Sequence, residues 1–301
     1  MARIKDIYAH VTNTIVAELE NGVRPWMKPW NAEHAAGRIT RPLRHNGSPY
    51  NGINILMLWS AALENGYAAP YWLTYKQAKD LGAQVRQGER SSLVVYANTY
   101  TRTEENDAGD EVEQHIPFLK AYSVFNAEQI DGLPEHYTAL AEPVLDPIAR
   151  IEHADCFFAN TGADIRHGGN RAFYQFTNDF IQMPPFEAFR DAESYVATLA
   201  HETTHWTRHS SRLDRDFGRK TWGDDGYARE ELVAELGSAF LSADLGTTPE
   251  TREDHAAYIG SWLKVLKEDK RAIFQAAAHA QRAVDYLHSL QAQRAQTGTS
   301  A

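Results

Sequence analysis

The sequence predicts an α+β protein with two domains, and three observations support this. The chain has 301 residues, long for one ordinary domain, and a hydrophobic fraction of 43%, sufficient for buried cores. Apolar residues recur at helical spacing in some segments and form short β-branched runs in others. Residues 1–100 hold 11 Lys and Arg against 7 Asp and Glu, whereas the remainder holds 19 against 33. The two parts differ in the sign of their net charge, which indicates modules with different partners.

The composition also excludes several classes of protein. The single cysteine, Cys156, excludes a disulfide framework and a cysteine-based zinc finger, and we expect it to be a small buried hydrophobe. No apolar run is long enough to cross a bilayer, and Met1–Ile4 does not resemble the start of a signal peptide. We therefore expect a cytoplasmic protein with no membrane partner. The formal net charge of −10 argues against nucleic acid for the whole chain, but not for its basic first part.

The first domain is predicted to be mixed α+β. A helix begins at Ile4, keeps apolar residues three or four apart through Leu19, and ends at Asn21-Gly22. A second, apolar helix starts at Ile53 after a turn, and Thr74 is a typical N-cap for a third. Next come a predicted strand, an acidic hairpin tip and a returning strand, at residues 93–96, 104–113 and 118–125.

Aromatic and basic residues are interleaved in this first domain, beginning with two tryptophans in the Pro-containing loop 24–30. A basic groove with stacking platforms is the pattern of sequence-independent single-stranded DNA binding. The alternative is that the aromatic side chains pack in the core, which is the simpler interpretation for at least one of the two loop tryptophans. The candidate DNA-binding residues are Trp26, Lys28, Trp30, Arg41, Arg44, Tyr50, Trp72, Lys76, Arg86 and Arg90.

We place the first domain at residues 1–135, a Pro- and Glu-containing linker at 136–147, and the second domain at 148–295. In the second domain, residues 179–184 are predicted to form a strand beside the site described next. We expect that strand to offer its edge to an extended peptide. Long helices after Arg252 close the domain.

The strongest motif is His201-Glu202-Thr203-Thr204-His205, an H-E-x-x-H pattern. Four residues advance about 400° around a helix, so the two imidazoles lie one above the other and can bind one ion. Glu202 is placed to take a proton from a metal-bound water. Tyr227 is a candidate phenol donor to a tetrahedral intermediate, or else a packing residue.

A third ligand is needed with one position left open for water. The metzincin extension fails, because Arg208 and Ser211 stand where it requires glycine and histidine. We assign Glu231 as the ligand and Glu235, on the same helix face, as the carboxylate that receives an imidazole N–H. The swapped assignment and a merely solvated acidic face remain open, and Glu230 is turned away by about 100°. The expected ion is Zn²⁺, with a neighbour such as Mn²⁺ as the alternative.

Together the two halves resemble the ArdC-type antirestriction family over nearly the whole chain. The resemblance rests on an ordered set of motifs, at residues 25–30, 50–54, 72–78, 88–89, 124–130, 199–205 and 230–236. It implies an N-terminal single-stranded-DNA-binding domain and a C-terminal zincin-like metallopeptidase domain of gluzincin type. A similar N-terminal domain occurs in plasmid primases of the TraC type, although this chain has no primase catalytic motif.

The resemblance further implies an antirestriction function, in which the protein protects incoming conjugative plasmid DNA from host restriction enzymes. The partners it implies are single-stranded DNA and a host restriction enzyme or another protein substrate. Two other functions fit the sequence. One is a non-catalytic DNA-coating protein with a structural metal site, and the other is a peptidase whose first domain recognises protein.

Overall fold

The computed structural model describes residues 4–27, 40–105, 111–139, 147–218, 224–248 and 255–297, and the protein is a mixture of helices and sheets, as predicted. The first half contains three helices, α1 (Ile4–Glu20), α2 (Ile53–Asn65) and α3 (Tyr75–Asp80). Its strands are β1 (Leu43–Arg44), β2 (Tyr71–Leu73), β3 (Gln84–Val85), β4 (Ser92–Glu105), β5 (Glu111–Asn126) and β6 (Ile130–Asp131). The predicted helix starts at Ile4 and Ile53 are both confirmed.

Four of these strands form one sheet in the order β1-β2-β5-β4, and β3 pairs with β6 separately. The β4–β5 hairpin is the largest element, with an antiparallel register from Ser92↔Val124 to Glu105↔Glu111. Its strands run further into the acidic segment than the sequence predicted. The cap of α3 is the predicted one, since the Thr74 hydroxyl accepts a hydrogen bond from the Gln77 backbone N–H. The Gln77 side-chain oxygen in turn accepts one from the Thr74 backbone N–H.

The second half places a small sheet beside a group of helices. Its helices are α4 (Pro147–Thr161), α5 (Ala192–Trp206), α6 (Asp225–Leu245), α7 (His255–Glu268) and α8 (Ala272–Thr297). Its strands are β7 (Asp164–His167), β8 (Phe173–Gln175) and β9 (Phe180–Met183). The order is β7-β9-β8, so the predicted strand β9 lies in the centre of this sheet and β8 lies at an edge. The expectation that β9 offers its edge to a peptide is therefore wrong, because both its edges are paired.

One hydrophobic cluster crosses between the halves. Ile7, Val11 and Ile15 of α1 belong to the same buried cluster as Trp262 of α7 and Ile273 of α8. The Thr12 hydroxyl also donates to the Lys270 carbonyl at 2.7 Å. The first helix is thus packed on the last two, while the central part of the predicted linker, residues 140–146, lies outside the described residues.

Close packing of α5 on α6 positions the site. Gly237 of α6 lies against Thr204 of α5, and an added Cβ there would come within 2.5 Å of the threonine methyl carbon. A glycine at this crossing lets the two helices approach closely. In the part of the chain that the structure describes, no helix has the length and apolar character needed to cross a membrane.

Candidate metal centre

The H-E-x-x-H motif lies in the last turns of α5, where it is buried. The helix is capped by Asp191, whose carboxylate accepts from the Ser194 backbone N–H at 2.8 Å. His201 and His205 are one turn apart, with ring centroids separated by 4.8 Å. Glu202, between them in sequence, is buried as well. The two imidazoles therefore lie one above the other on one face of the helix, as predicted, with their rings edge-on.

Glu231 of α6 reaches both imidazoles. Its Oε2 lies 3.5 Å from His201 Nε2 and its Oε1 lies 3.5 Å from His205 Nε2. One ligand atom from each of the three side chains falls within 4.8 Å of the others. Ligands bonded tetrahedrally at about 2.1 Å stand roughly 3.4 Å apart, close to the two 3.5 Å separations between Glu231 and the imidazoles, so this donor set could hold one transition-metal ion.

Glu235 lies behind the first imidazole, on the side away from Glu231. Its Oε2 is 3.7 Å from His201 Nδ1, a distance longer than a hydrogen bond. Its Oε1 accepts from the Trp26 indole N–H at 3.4 Å and lies 3.5 Å from an Arg24 guanidinium nitrogen. This geometry favours the assignment of Glu231, rather than Glu235, as the third ligand.

Glu230 supports the second imidazole, that of His205. The sequence did not predict this role for Glu230. Its Oε1 lies 3.0 Å from His205 Nδ1. Arg215 donates to both oxygens of Glu230 at 2.8 Å, and also to the Thr204 carbonyl. The rotation of about 100° between Glu230 and Glu231 does not turn Glu230 out of the site, because the two carboxylates approach opposite edges of one ring. The sequence feature that could have indicated this role is the pair of adjacent glutamates, Glu230 and Glu231.

Opposite charges in this cluster shift one another's pKa values. Burial alone would raise the pKa of Glu230, but the Arg215 guanidinium outweighs burial and lowers it to about 2. Burial would lower the pKa of His205, but the Glu231 and Glu230 carboxylates raise it to about 9. Burial opposes ionisation of Glu231 too, yet the two imidazoles hold its pKa well below the usual range.

Tyr227, in the first turn of α6, adjoins this cluster. Its hydroxyl lies 2.9 Å from that of Tyr258 on α7. Burial, reinforced by the charge of Glu231, raises the pKa of Tyr227 well above its usual value. The phenol therefore keeps its proton and remains a hydrogen-bond donor, consistent with either of the two roles open from the sequence.

Several candidate DNA-binding side chains are buried. Trp26 is 0% exposed and Trp72 is 2% exposed, so neither ring is available to stack on a base in this structure. Arg41 is also buried, where it donates to both oxygens of Asp244 at 2.8 Å. The partners of these three side chains lie in the protein core and, for Trp26 and Arg41, on α6, so this structure does not present the three side chains to DNA. Lys28 and Trp30 lie outside the described residues.

The exposed candidates are Arg44, Lys76, Arg86 and Arg90. Arg86 is held by Glu89 at 2.8 Å and lies 3.6 Å from Asp131, so its charge is largely matched. The Arg44 guanidinium stands over the ring of Tyr50, 5.2 Å from its centroid. Tyr50 is mostly buried but lines, with Arg44, an open cavity of about 360 Å³.

This cavity, which we call the Arg44 pocket, contains two tyrosines that the sequence analysis did not select. Tyr96 on β4 and Tyr122 on β5 are 48% and 45% exposed. Tyr96 is paired across the hairpin with Lys120, so that lysine lies on the same face of the sheet. None of the described residues that line the pocket carries a carboxylate. The sequence feature that could have indicated these two tyrosines is the alternation of aromatic and basic residues along β4 and β5.

Cys156 differs from expectation. It was predicted to be buried, but it is exposed on α4. Its neighbours Phe157 and Phe158 take the buried positions of that turn, which leaves the cysteine on the outer face of the helix.

A buried H-E-x-x-H helix crossed by a glutamate-bearing helix defines a metal centre of the zincin type, here attached to a mixed α+β half. A family model described as "Zincin-like metallopeptidase" matches residues 152–279. Another, the "N-terminal domain of anti-restriction factor ArdC", matches residues 5–125. Together with the relatives described next, these matches show that the chain belongs to the ArdC antirestriction family.

Two solved structures support this assignment. The metal-free crystal structure of the antirestriction ArdC protein from plasmid R388 is 50% identical, with a TM-score of 0.80, over 96% of this chain and 98% of that one. The Mn(II)-bound structure is 48% identical, with a TM-score of 0.75, over 94% and 97%.

Curated relatives extend the comparison. The uncharacterized protein y4eC of Sinorhizobium fredii is 45% identical over 95% of this chain and 92% of its own length. A DNA primase TraC of Escherichia coli is 39% identical over 100% of this chain but only 29% of the primase. The similarity to TraC therefore covers both halves, not only the N-terminal domain that the sequence analysis expected.

Proposed function

We propose that this antirestriction protein binds single-stranded DNA without sequence preference and hydrolyses a peptide bond at its metal centre. By these activities it protects incoming conjugative plasmid DNA from host restriction enzymes. The observation that carries the peptidase part is the buried group of His201, His205 and Glu231 with Glu202 beside it. The membership in the ArdC family supports the antirestriction role.

Two nitrogen donors and one carboxylate suit Zn²⁺ and its divalent neighbours, and the R388 relative has an Mn(II)-bound form. When bound, such an ion polarises a carbonyl and lowers the pKa of a bound water. Glu202 is the residue of this chain that would accept a proton from that water and pass it to the leaving amine. The Tyr227 phenol supplies a hydrogen bond to the carbonyl oxygen as negative charge develops there.

The Arg44 pocket is the surface that best fits single-stranded DNA. Its two half-exposed tyrosines offer faces for base stacking, and Arg44 and Lys120 lie where they can neutralise phosphate. A second open cavity beside Tyr75 is less suitable, because Glu89 and Asp131 are among its lining residues. Stacking on aromatic faces and charge contacts with phosphate favour binding that ignores sequence.

The Glu202→Ala variant tests whether catalysis at the metal centre is needed for protection. The assay is conjugation into a host that carries a restriction system. We expect this variant to lose protection while it keeps its metal and its DNA binding. Full protection by the variant would instead support the non-catalytic alternative, in which the protein coats DNA and the metal is structural. Metal analysis beside a His201→Ala control checks the site, and equal metal content in both proteins would refute it.

DNA binding is tested by gel shift with single- and double-stranded oligonucleotides of unrelated sequence at rising salt. Tyr96→Ala and Tyr122→Ala should each weaken single-strand binding by about 5- to 150-fold, the value of one stacked base. Tyr75→Ala is the matched control, since that tyrosine is 46% exposed but lies outside the Arg44 pocket. No preference for single strands at any salt would favour the third function, a peptidase whose N-terminal half recognises a host restriction enzyme or another protein.

A further inference from the structure

The two imidazoles of the metal centre are supported from different halves of the chain. Behind His205 stands the pair Glu230–Arg215, which comes entirely from the second half. Behind His201 stands Glu235, whose Oε1 accepts from Trp26 at 3.4 Å and lies 3.5 Å from Arg24. Trp26 and Arg24 belong to the loop that follows α1. Among the described residues, this loop of the first half therefore reaches the metal centre through the Glu235 carboxylate.

These two contacts from the first half help to fix the position of Glu235. The carboxylate is 3% exposed, and a buried carboxylate is costly unless charged or hydrogen-bonding groups face it. Trp26 is fully buried and its ring meets that of Trp262 on α7 edge-on, with centroids 6.3 Å apart. The indole is thus fixed by packing, and its N–H points at one oxygen of Glu235. The other oxygen is left facing His201 Nδ1 at 3.7 Å.

We propose that Trp26 and Arg24 are positioning residues, which hold Glu235 toward His201 so that the N-terminal half sets the metal affinity of the centre. A carboxylate beside Nδ1 keeps the proton on that nitrogen and leaves the Nε2 lone pair toward Glu231 and the ion. This inference rests on the proposed metal centre, and it assigns part of that centre's affinity to residues outside the zincin-like half.

Trp26 has a second role in the core, so the test must separate its packing from its N–H. Trp26→Phe keeps a buried aromatic ring and removes the donor. Arg24→Gln removes the charge at a side chain that is partly exposed, so it disturbs the core less. Trp59→Phe is the matched control, because Trp59 is also buried and its indole N–H donates to the Thr40 carbonyl at 2.8 Å.

The measurement is the Zn²⁺ dissociation constant of the full-length protein, obtained by competition with a chromogenic chelator, with Mn²⁺ as a second probe. Replacing an outer partner of a metal-ligating histidine typically weakens binding by about 10- to 100-fold. We expect Glu235→Gln to weaken Zn²⁺ binding by about that factor, and Trp26→Phe and Arg24→Gln by several-fold each. Trp59→Phe should bind Zn²⁺ as the parent does.

A double-mutant cycle tests whether Trp26 affects metal binding through Glu235 rather than by another route. If Trp26 acts through Glu235, then Trp26→Phe should have no further effect on Zn²⁺ binding once Glu235→Gln is present. Equal effects in both backgrounds, or parent-like affinity of both Trp26→Phe and Arg24→Gln, would overturn the proposal. Should Trp26→Phe fail to fold, as judged by circular dichroism of the metal-free protein, the same cycle with Arg24→Gln decides.

Failure of the proposed function gives a different result. In that case the parent protein itself binds no stoichiometric Zn²⁺, or binds it as well as His201→Ala does. A parent that binds Zn²⁺ through His201 but is indifferent to Trp26 and Arg24 contradicts only the link between the halves.

Discussion

At the residue scale, Glu230 and Arg215 form a buried pair that orients His205 from behind. The exposed fraction of the Arg215 side chain is 1%, and both of its bonds to Glu230 are 2.8 Å long. Such a pair adds little net stability compared with apolar side chains, but removing one partner leaves an uncompensated buried charge. Its value lies in fixing the orientation of the imidazole.

Glu230→Gln should therefore destabilise the metal-free protein by about 3–5 kcal/mol, because Arg215 stays charged in a dry site. Chemical denaturation in the presence of a chelator measures this without any contribution from metal binding. Replacing both partners, with Glu230→Leu and Arg215→Met together, should recover much of the loss. A single-variant effect below about 1 kcal/mol, the size of an exposed pair, would contradict the burial of this charge.

A second prediction at this scale concerns His279 of α8. Burial, followed by the positive charges of Arg282 and Arg215, lowers the pKa of His279 from 6.5 to about 4. Between those values the unfolded chain binds a proton that the folded protein does not, so stability falls as the pH is lowered through this range. His279→Gln should flatten this part of the profile of unfolding free energy against pH. The same change at the exposed His10 is the control, and equal flattening by both would refute the assignment.

The residue scale also shows what the sequence could predict of the site. The spacing of His201 and His205 and the glutamate on the following helix are local patterns, and the structure brings these side chains together. The role of Glu230 was missed because it depends on how α6 crosses α5, which no local period encodes. Trp26 and Arg41 were assigned to DNA because their partners, Glu235 and Asp244, are about 200 residues away in sequence.

At the scale of elements, the crossing of α5 and α6 is what joins the motif to its third ligand. The two helices touch at Gly237 and Thr204, and Gly237 lies six residues, nearly two turns of α6, beyond the candidate metal ligand Glu231. Thr204 lies within the H-E-x-x-H motif and is completely buried. Its side chain therefore has little room to move away from a larger neighbour.

Gly237→Ala should destabilise the protein by about 1–3 kcal/mol, the usual cost of overpacking, and should weaken metal binding because it separates the two helices. The new Cβ would meet two side-chain atoms of Thr204 at 2.5 and 2.7 Å. Gly260→Ala in α7 is the control, since no atom of the described residues comes within 4 Å of a Cβ there. That control should be neutral or stabilising by up to about 1 kcal/mol, through better helix propensity. Thermal unfolding and chelator competition on both variants decide, and similar effects at the two glycines would count against the close approach.

The secondary structure was predicted best where the pattern is local. The start of α1 follows from its apolar spacing, and that of α3 from the Thr74 cap. The position of β9 inside its sheet was not predictable, because it depends on pairing with β7 and β8, and strand order leaves no trace in the strand's own residues. The extent of the β4–β5 hairpin was underestimated because its outer residues are polar and lack the alternation typical of a buried strand.

At the scale of the whole molecule, the ArdC N-terminal region and the zincin-like region share one hydrophobic core. The side chains of α1 are buried against the last two helices, and Arg41 joins Asp244 of α6 in a two-bond contact. The opposite net charges of the two halves thus lie on a single packed body. The proposed DNA affinity draws on exposed basic residues such as Arg44 and Lys120, so it should fall as the salt concentration rises.

A fragment of residues 140–301 should therefore not fold alone. It lacks Ile7, Val11, Ile15 and Trp26, and each fully buried side chain of this size contributes about 1.5–3 kcal/mol. Co-expression with residues 1–139 should restore a complex that unfolds cooperatively. A sharp unfolding transition of residues 140–301 alone, at the temperature of the full chain, would contradict the shared core and support two independent domains.

The contact between α1 and the segment joining α7 to α8 also has a consequence for how the protein is made. Thr12 binds the carbonyl of Lys270, 258 residues later. A ribosome that adds roughly 5–20 residues per second needs about 13–50 s to synthesise the partner of that hydroxyl. Throughout that time the apolar face of α1 has no α7 or α8 to cover it. We therefore expect the apolar face of α1 in a nascent chain to be a site of association until α7 and α8 are made.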